Sequence, residues 1–177
     1  MTVKGKSSMT EKNTSVQIDN CLKTVSEIAL LLVQKGKTVS LAESITGGLI
    51  AKTFTDVPGS SKWFSSGIVS YSDEVKNSVL GVEKQVLQEY SAVSKECAVQ
   101  MALGANKLFK SDFSIAVTGY AGPEGESVGK VFIAVSDNSN YEIKQFMYDG
   151  SLGRIKIRQN VMNDALIMFY EYLKRTV

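Results

Sequence analysis

Apolar side chains recur at helical spacing through Val16, Ile18, Cys21, Leu22, Val25, Ile28, Ala29, Leu32 and Val33, until Gly36 stops the pattern. This predicts a first amphipathic helix. Residues 1–15 (MTVKGKSSMTEKNTS) have no such period and read as a disordered polar leader, which places one domain over 16–177. Residues 38–41 form the short apolar run of a buried strand, and 43–48 join it to a second helix ending near Phe54. A loop through Asp56-Val57-Pro58-Gly59-Ser60-Ser61 leads to a strand at 67–70, then to a helical stretch holding Lys76. Val99, Ala102, Leu103 and Leu108 stripe a further helix over about 95–109. A strand at 113–117 breaks into the glycine-rich run Thr118-Gly119-Tyr120-Ala121-Gly122-Pro123-Glu124-Gly125. Strands at about 129–135 and 141–146 form a hairpin turned at Asp137-Asn138-Ser139-Asn140, and a last helix covers about 154–172. Helices alternating with five short strands predict an α/β fold, a three-layer α/β/α sandwich on a mixed, mainly parallel five-strand sheet.

Composition narrows the function classes. With 44% apolar and 21% charged residues in 177, the chain has the make-up of a soluble globular domain with a sizeable core. Twenty basic against eighteen acidic side chains, scattered along the chain, leave a formal charge of +2 and no basic field to hold a polyanion. Nucleic acid is therefore not an expected partner. The apolar run at 28–33 is too short to span a bilayer and follows a polar leader, so neither membrane nor secretion is expected and the chain reads as cytoplasmic. Cys21 and Cys97 lie in helical segments without metal-ligand spacing and read as reduced packing residues.

The sequence contains no histidine. This excludes a Ser-His-Asp triad, a Cys-His dyad and a histidine zinc site. Acid–base chemistry must fall to Lys, Tyr, Asp, Glu or Cys. Two segments have the form of ligand-binding junctions at strand ends: Ser44-Ile45-Thr46-Gly47-Gly48 and 118–125. Each combines hydroxyls with glycines that let backbone amides approach a ligand. Taken singly, Ser44 or Thr46 is equally readable as a helix cap, and Lys76 as a solvated helix lysine. Arg154 and Arg158, one helical turn apart, read as a pair able to face one anion, and Glu43 either as an orienter of Lys76 or as a cap.

The motifs gain meaning as an ordered set. Ala42-Glu43-Ser44-Ile45-Thr46-Gly47-Gly48, Asp56-Val57-Pro58-Gly59-Ser60-Ser61, Val69-Ser70-Tyr71-Ser72, Lys76, Leu80-Gly81-Val82, Ala92-Val93-Ser94 and Thr118-Gly119-Tyr120-Ala121-Gly122-Pro123 closely resemble the CinA C-terminal domain from about residue 20 to 172. The resemblance implies a nicotinamide-nucleotide amidase that converts nicotinamide mononucleotide to nicotinate mononucleotide and ammonia, without metal or cofactor. It implies Ser44 as nucleophile, Lys76 as its general base and Tyr71 beside them. Ser61, Thr118 and Arg154 would line the nucleotide pocket, joined by Gly119, Ala121 and Gly122, with amides from Thr46, Gly47 and Gly48 facing the oxyanion. The expected partner is a small pyridine nucleotide, and a homodimer is left open.

The chain departs from the family pattern in three places. Ile45 stands where Cys is common, the loop after Pro123 lacks a Lys-Pro pair, and Gly150-Ser151-Leu152-Gly153-Arg154 replaces the usual Gly-Asp-Arg. The shortened loop sets up an alternative, a nucleotide-binding or regulatory module without turnover. Full-length members also carry an N-terminal domain resembling molybdopterin-biosynthesis proteins, and this chain is expected to stand alone without it.

Overall fold

The computed structural model describes the backbone of residues 7–177 and the side chains of residues 20–177. Its elements run α1 (Ser7–Gln34), β1 (Val39–Glu43), α2 (Leu49–Thr55), β2 (Phe64–Val69), α3 (Asp73–Ser78), α4 (Lys84–Tyr90), α5 (Lys95–Phe109), β3 (Phe113–Gly119), β4 (Lys130–Ser136), β5 (Tyr141–Met147) and α6 (Gly153–Thr176). Helix α1 starts at Ser7, ahead of the first apolar position of the pattern. The leader expected over 1–15 thus falls partly on residues 1–6, outside the described residues, and partly on the opening turns of this helix.

The sheet order is β2-β1-β3-β4-β5. Strand β1 pairs in parallel with β2 and β3, while β3–β4 and β4–β5 are antiparallel. The expected mixed sheet is present, with two pairs of each kind. Four of the five strands point the same way.

Period-2 alternation sorts the strands' side chains into two cores. Val39, Leu41, Phe113, Ile115, Val117, Val131, Ile133 and Val135 face α1, α2 and α6. Ala42, Ala116, Phe132 and Ala134 face α5, whose own inner face is built from small residues including Ala98, Ala102 and Ala105. Small residues on both sides let this helix sit close, and a Cβ added at Gly104 would lie 2.0 Å from the Leu80 carbonyl oxygen. At the amino ends of β1 and β3 a buried polar network ties sheet to helix. Ser40 and Ser111 hydroxyls lie 2.7 Å apart, and Ser114 donates to the Ala102 carbonyl or Asn106 Oδ1, both at 2.8 Å.

β2 begins three residues earlier than its apolar pattern suggests. It is an edge strand with alternating half-buried and exposed positions. Its amino end is held by an aromatic cluster in which Phe54 meets Trp63 edge-on at 4.9 Å and Phe64 at 5.4 Å. Helix α4, only seven residues long with one buried side chain, has no apolar stripe to announce it.

Among the described residues no helix is long and apolar enough to cross a membrane.

Candidate active site

The chain leaves β1 toward β2 on one side and returns to β3 on the other, so the crevice between the carboxyl ends of β1 and β3 is a topological switch point. Ser44 follows β1 directly, held by its amide on the Val117 carbonyl at 3.0 Å. After Ser44 the chain makes a tight turn. The Gly47 amide donates to the Ser44 carbonyl at 3.2 Å, and Gly47 and Gly48 take positive φ of 59° and 94°, which a side chain would strain. Glu43 closes the turn from below. Its buried carboxylate accepts from the amides of Gly48 (2.9 Å), Ile50 (3.1 Å) and Ala51 (2.8 Å), capping α2. Of its two sequence readings, the cap is the one observed.

Lys76 comes from α3, whose amino end is capped by the Ser72 hydroxyl accepting from the Val75 amide. Although it is a lysine, it is only 1% exposed. Its Nζ donates to the carbonyls of Ser70 at 2.9 Å and Tyr71 at 3.1 Å, and lies 3.5 Å from Ser44 Oγ. Among the described residues it forms no ion pair with a carboxylate. Burial pulls its pKa down from the ordinary lysine value, against a smaller opposing pull from Cys97, Asp73 and Tyr71. The neighbouring Cys97 thiol is pushed up to about 11 by burial, so it remains a neutral thiol at neutral pH.

The cleft above this pair encloses about 200 Å³ and is lined by Ser44, Tyr71, Lys76, Thr118, Gly119, Ala121 and Arg154. Seven residues expected from the sequence thus meet in one place. Thr118 braces the wall by donating its hydroxyl to the Ala92 carbonyl at 2.7 Å. Arg154 bridges the mouth, with Nη1 on the Gly122 carbonyl (2.9 Å) and Nη2 on the Tyr71 phenol (3.2 Å). Tyr71 meets Lys76 through its carbonyl, while its phenol turns to Arg154 and the side chain is 64% exposed. A second hollow, about 360 Å³, adjoins at Ala121 and Arg154 and includes Gly122, Pro123, Val128, Gly150 and Gly153.

Other expected residues lie elsewhere. Ser61 sits in a 3-10 turn before β2, and because β2 runs parallel to β1, this turn lies at the opposite end of the sheet from Ser44. It does not line the cleft of its own chain. Thr46, Gly47 and Gly48 form the turn behind Ser44 rather than the cleft wall, and the amides of Gly47 and Gly48 are already committed to Ser44 and Glu43. Arg154 and Arg158 do not converge on one anion. Arg158 instead donates from Nε to the Ile45 carbonyl (3.1 Å) and from Nη2 to the Thr46 carbonyl (2.5 Å).

Ile45, the replacement for the common Cys, is 4% exposed, belongs to the core that the sheet shares with α1, α2 and α6, and also borders the cleft. Asp73, Ala92, Val93 and Tyr120 also line the cleft. Ala92-Val93 and Tyr120 stood within recognised motifs, but their apolar or aromatic character carried no chemical signal.

The arrangement defines an open α/β domain with a serine–lysine cleft past the carboxyl ends of its parallel strands. A profile of the CinA C-terminal domain matches residues 22–173. The chain belongs to that family. It is 46% identical over 137 residues to a putative competence-damage inducible protein of Bacillus subtilis, covering 76% of this chain and 33% of the relative. It is 42% identical over 151 residues to a CinA-like protein of Fervidobacterium nodosum, covering 83% and 36%. The chain thus spans about a third of the length of these curated relatives. Among solved structures, a competence/damage inducible protein from Agrobacterium tumefaciens superposes with a TM-score of 0.83 at 36% identity, covering 87% of this chain and 95% of that one. The competence damage-inducible protein A from Klebsiella pneumoniae gives 0.83 at 32%, covering 87% and 97%.

Proposed function

We propose that this domain is an amidase that hydrolyses nicotinamide mononucleotide to nicotinate mononucleotide and ammonia through Ser44 and Lys76. The observation that carries this reading is the surroundings of Lys76 Nζ, with two carbonyls and the Ser44 hydroxyl around it and, among the described residues, no carboxylate ion-pair partner. A neutral amine has two hydrogens and one lone pair. With the hydrogens given to Ser70 and Tyr71, the lone pair is left for the Ser44 proton. Burial favours this neutral form.

Ser44 Oγ then bonds to the carboxamide carbon while Lys76 takes its proton. The C–N bond breaks, and Lys76 returns the proton to the departing ammonia. Water attacks the resulting ester, freeing the carboxylate and Ser44. The carboxamide end occupies the cleft at Ser44. The rest of the nucleotide extends past Arg154, whose bonds go to neutral oxygens and leave its charge for a phosphate.

The test is ammonia release from nicotinamide mononucleotide by the wild type and by Ser44→Ala. We expect turnover in the wild type and a loss of at least three decades in the variant, with nucleotide binding retained. Thermal stabilisation of the wild type by the nucleotide without any ammonia would instead favour the binding-module alternative that the shortened loop after Pro123 raises.

A further inference from the structure

The amidase reading leaves one requirement without a residue. A tetrahedral intermediate places negative charge on the former carbonyl oxygen, and donors fixed in advance at that point lower the barrier most. The turn after Ser44 is the obvious source. Its amides, however, are not all available. Gly47 N–H is given to the Ser44 carbonyl and Gly48 N–H to Glu43. Among the described residues the Ile45 and Thr46 amides donate to nothing; Ile45 lines the cleft beside Ser44, whereas Thr46 is fully buried behind it.

The orientation of these two amides is set by what holds the carbonyls of the same peptide units. In a trans peptide the C=O and the following N–H point in opposite directions, and the only cis bond among the described residues is Gly122-Pro123. The Ser44 carbonyl is held by Gly47 N–H, which directs Ile45 N–H away from the inside of the turn. The Ile45 carbonyl is held by Arg158 Nε, which directs Thr46 N–H away from α6. Arg158 Nη2 holds the next carbonyl, that of Thr46. One planar guanidinium therefore fixes the second and third peptide units after the nucleophile, and the third carries the Gly47 N–H that holds the Ser44 carbonyl and so sets the first, which bears the Ile45 N–H. It forms no ion pair with a carboxylate among the described residues, so its charge polarises the peptide carbonyls it binds. The fit is close: a Cβ at Gly47 would stand 3.1 Å from Arg158 Nη2.

We propose that the Ile45 amide, the unpartnered one that borders the cleft, is an oxyanion donor of this site and that Arg158 is the positioning residue that aims it, through the Thr46 carbonyl and the Gly47 N–H that holds the Ser44 carbonyl. The inference rests on the amidase reading of the same site. It separates the two arginines of α6 by role: Arg154 faces ligand across the cleft mouth, and Arg158 never touches ligand but acts through the backbone.

The test compares Arg158→Gln and Arg158→Lys with the wild type, measuring kcat, KM and nucleotide affinity. Glutamine can hold one carbonyl but not two, and carries no charge. We expect kcat to fall roughly 10- to 100-fold, short of the 10²–10³ seen when an oxyanion donor is removed outright. KM and nucleotide affinity should stay within about twofold, and the pH midpoint of kcat/KM, which belongs to Lys76, should not move. Arg158→Lys should lie between, because an ammonium can reach a carbonyl but not fork across two. Added guanidinium ion should restore part of the kcat of Arg158→Ala.

Wild-type kcat in Arg158→Gln, or an equal fall in binding and turnover, would overturn the inference while leaving a Ser44-dependent amidase intact. If Arg158→Gln does not fold, Arg158→Lys decides: wild-type kcat there overturns it, and a selective fall in kcat supports it. Absence of ammonia release from the wild type, or its survival in Ser44→Ala, is instead the failure of the amidase reading.

Discussion

A lysine normally ends in water, and Lys76 is instead among the most fully buried large side chains of the molecule. Two carbonyls satisfy its hydrogens without supplying the negative charge that would hold it ionised. The expected consequence is a kcat/KM that rises with pH through a midpoint below the free-lysine value of about 10.4. Lys76→Arg keeps the charge but cannot give up its proton, so we expect a loss of about 10²–10⁴-fold at every pH. Steady-state rates across a pH series check both. Near-normal activity of the arginine variant with an unchanged profile would assign Lys76 a purely electrostatic part.

At the scale of elements, tight approach explains what propensity does not. Gly104 lies inside α5, where alanine is ordinarily better by about 1 kcal/mol. Here the added methyl would meet the Leu80 carbonyl, a backbone atom that cannot swing aside. Gly104→Ala is therefore expected to destabilise by about 1–3 kcal/mol rather than stabilise, as read by urea unfolding. The same distinction separates what was legible in the sequence from what was not. Helices α1, α5 and α6 and strands β1, β3 and β4 announce themselves by period, because one face or both are buried, while β5, an edge strand with no fully buried position, is read from the hairpin turn that joins it to β4. Ser44, Lys76, Thr118 and Arg154 were reachable because reactive residue types stood in an ordered set of motifs. Strand β2 was placed late and α4 was missed, because an edge strand and a short surface helix bury too little to impose a pattern. The separate roles of Arg154 and Arg158 depend on which carbonyls lie within reach, and helical spacing cannot show that. That Ser61 lies at the opposite end of the sheet from Ser44 follows from the parallel pairing of β2 with β1, a property of topology that a sequence motif does not show.

For the molecule as a whole, the buried lysine beside Ser44 works against the fold. Its folded pKa lies below its unfolded value, so between the two the unfolded chain binds more protons and stability rises with pH. Below the folded pKa the full penalty of a buried ammonium applies. We expect Lys76→Met to be inactive yet more heat-resistant than the wild type near neutral pH. The difference should shrink as pH climbs and the native amine loses its charge. Melting curves at several pH values test this, about 1 kcal/mol corresponding to roughly 2–4 °C in a domain of this size. A melting temperature below wild type at neutral pH would count against it. The placement of polar groups along the strands has a consequence for how such a protein changes under selection. Ser44 and Thr118 stand at the carboxyl ends of β1 and β3, and the Ser40–Ser111–Ser114–Asn106 network stands at their amino ends. Variation that retunes the cleft and variation that repairs lost robustness can therefore accumulate at opposite poles of one sheet, and a mutant library split between those poles should yield gains that combine nearly additively.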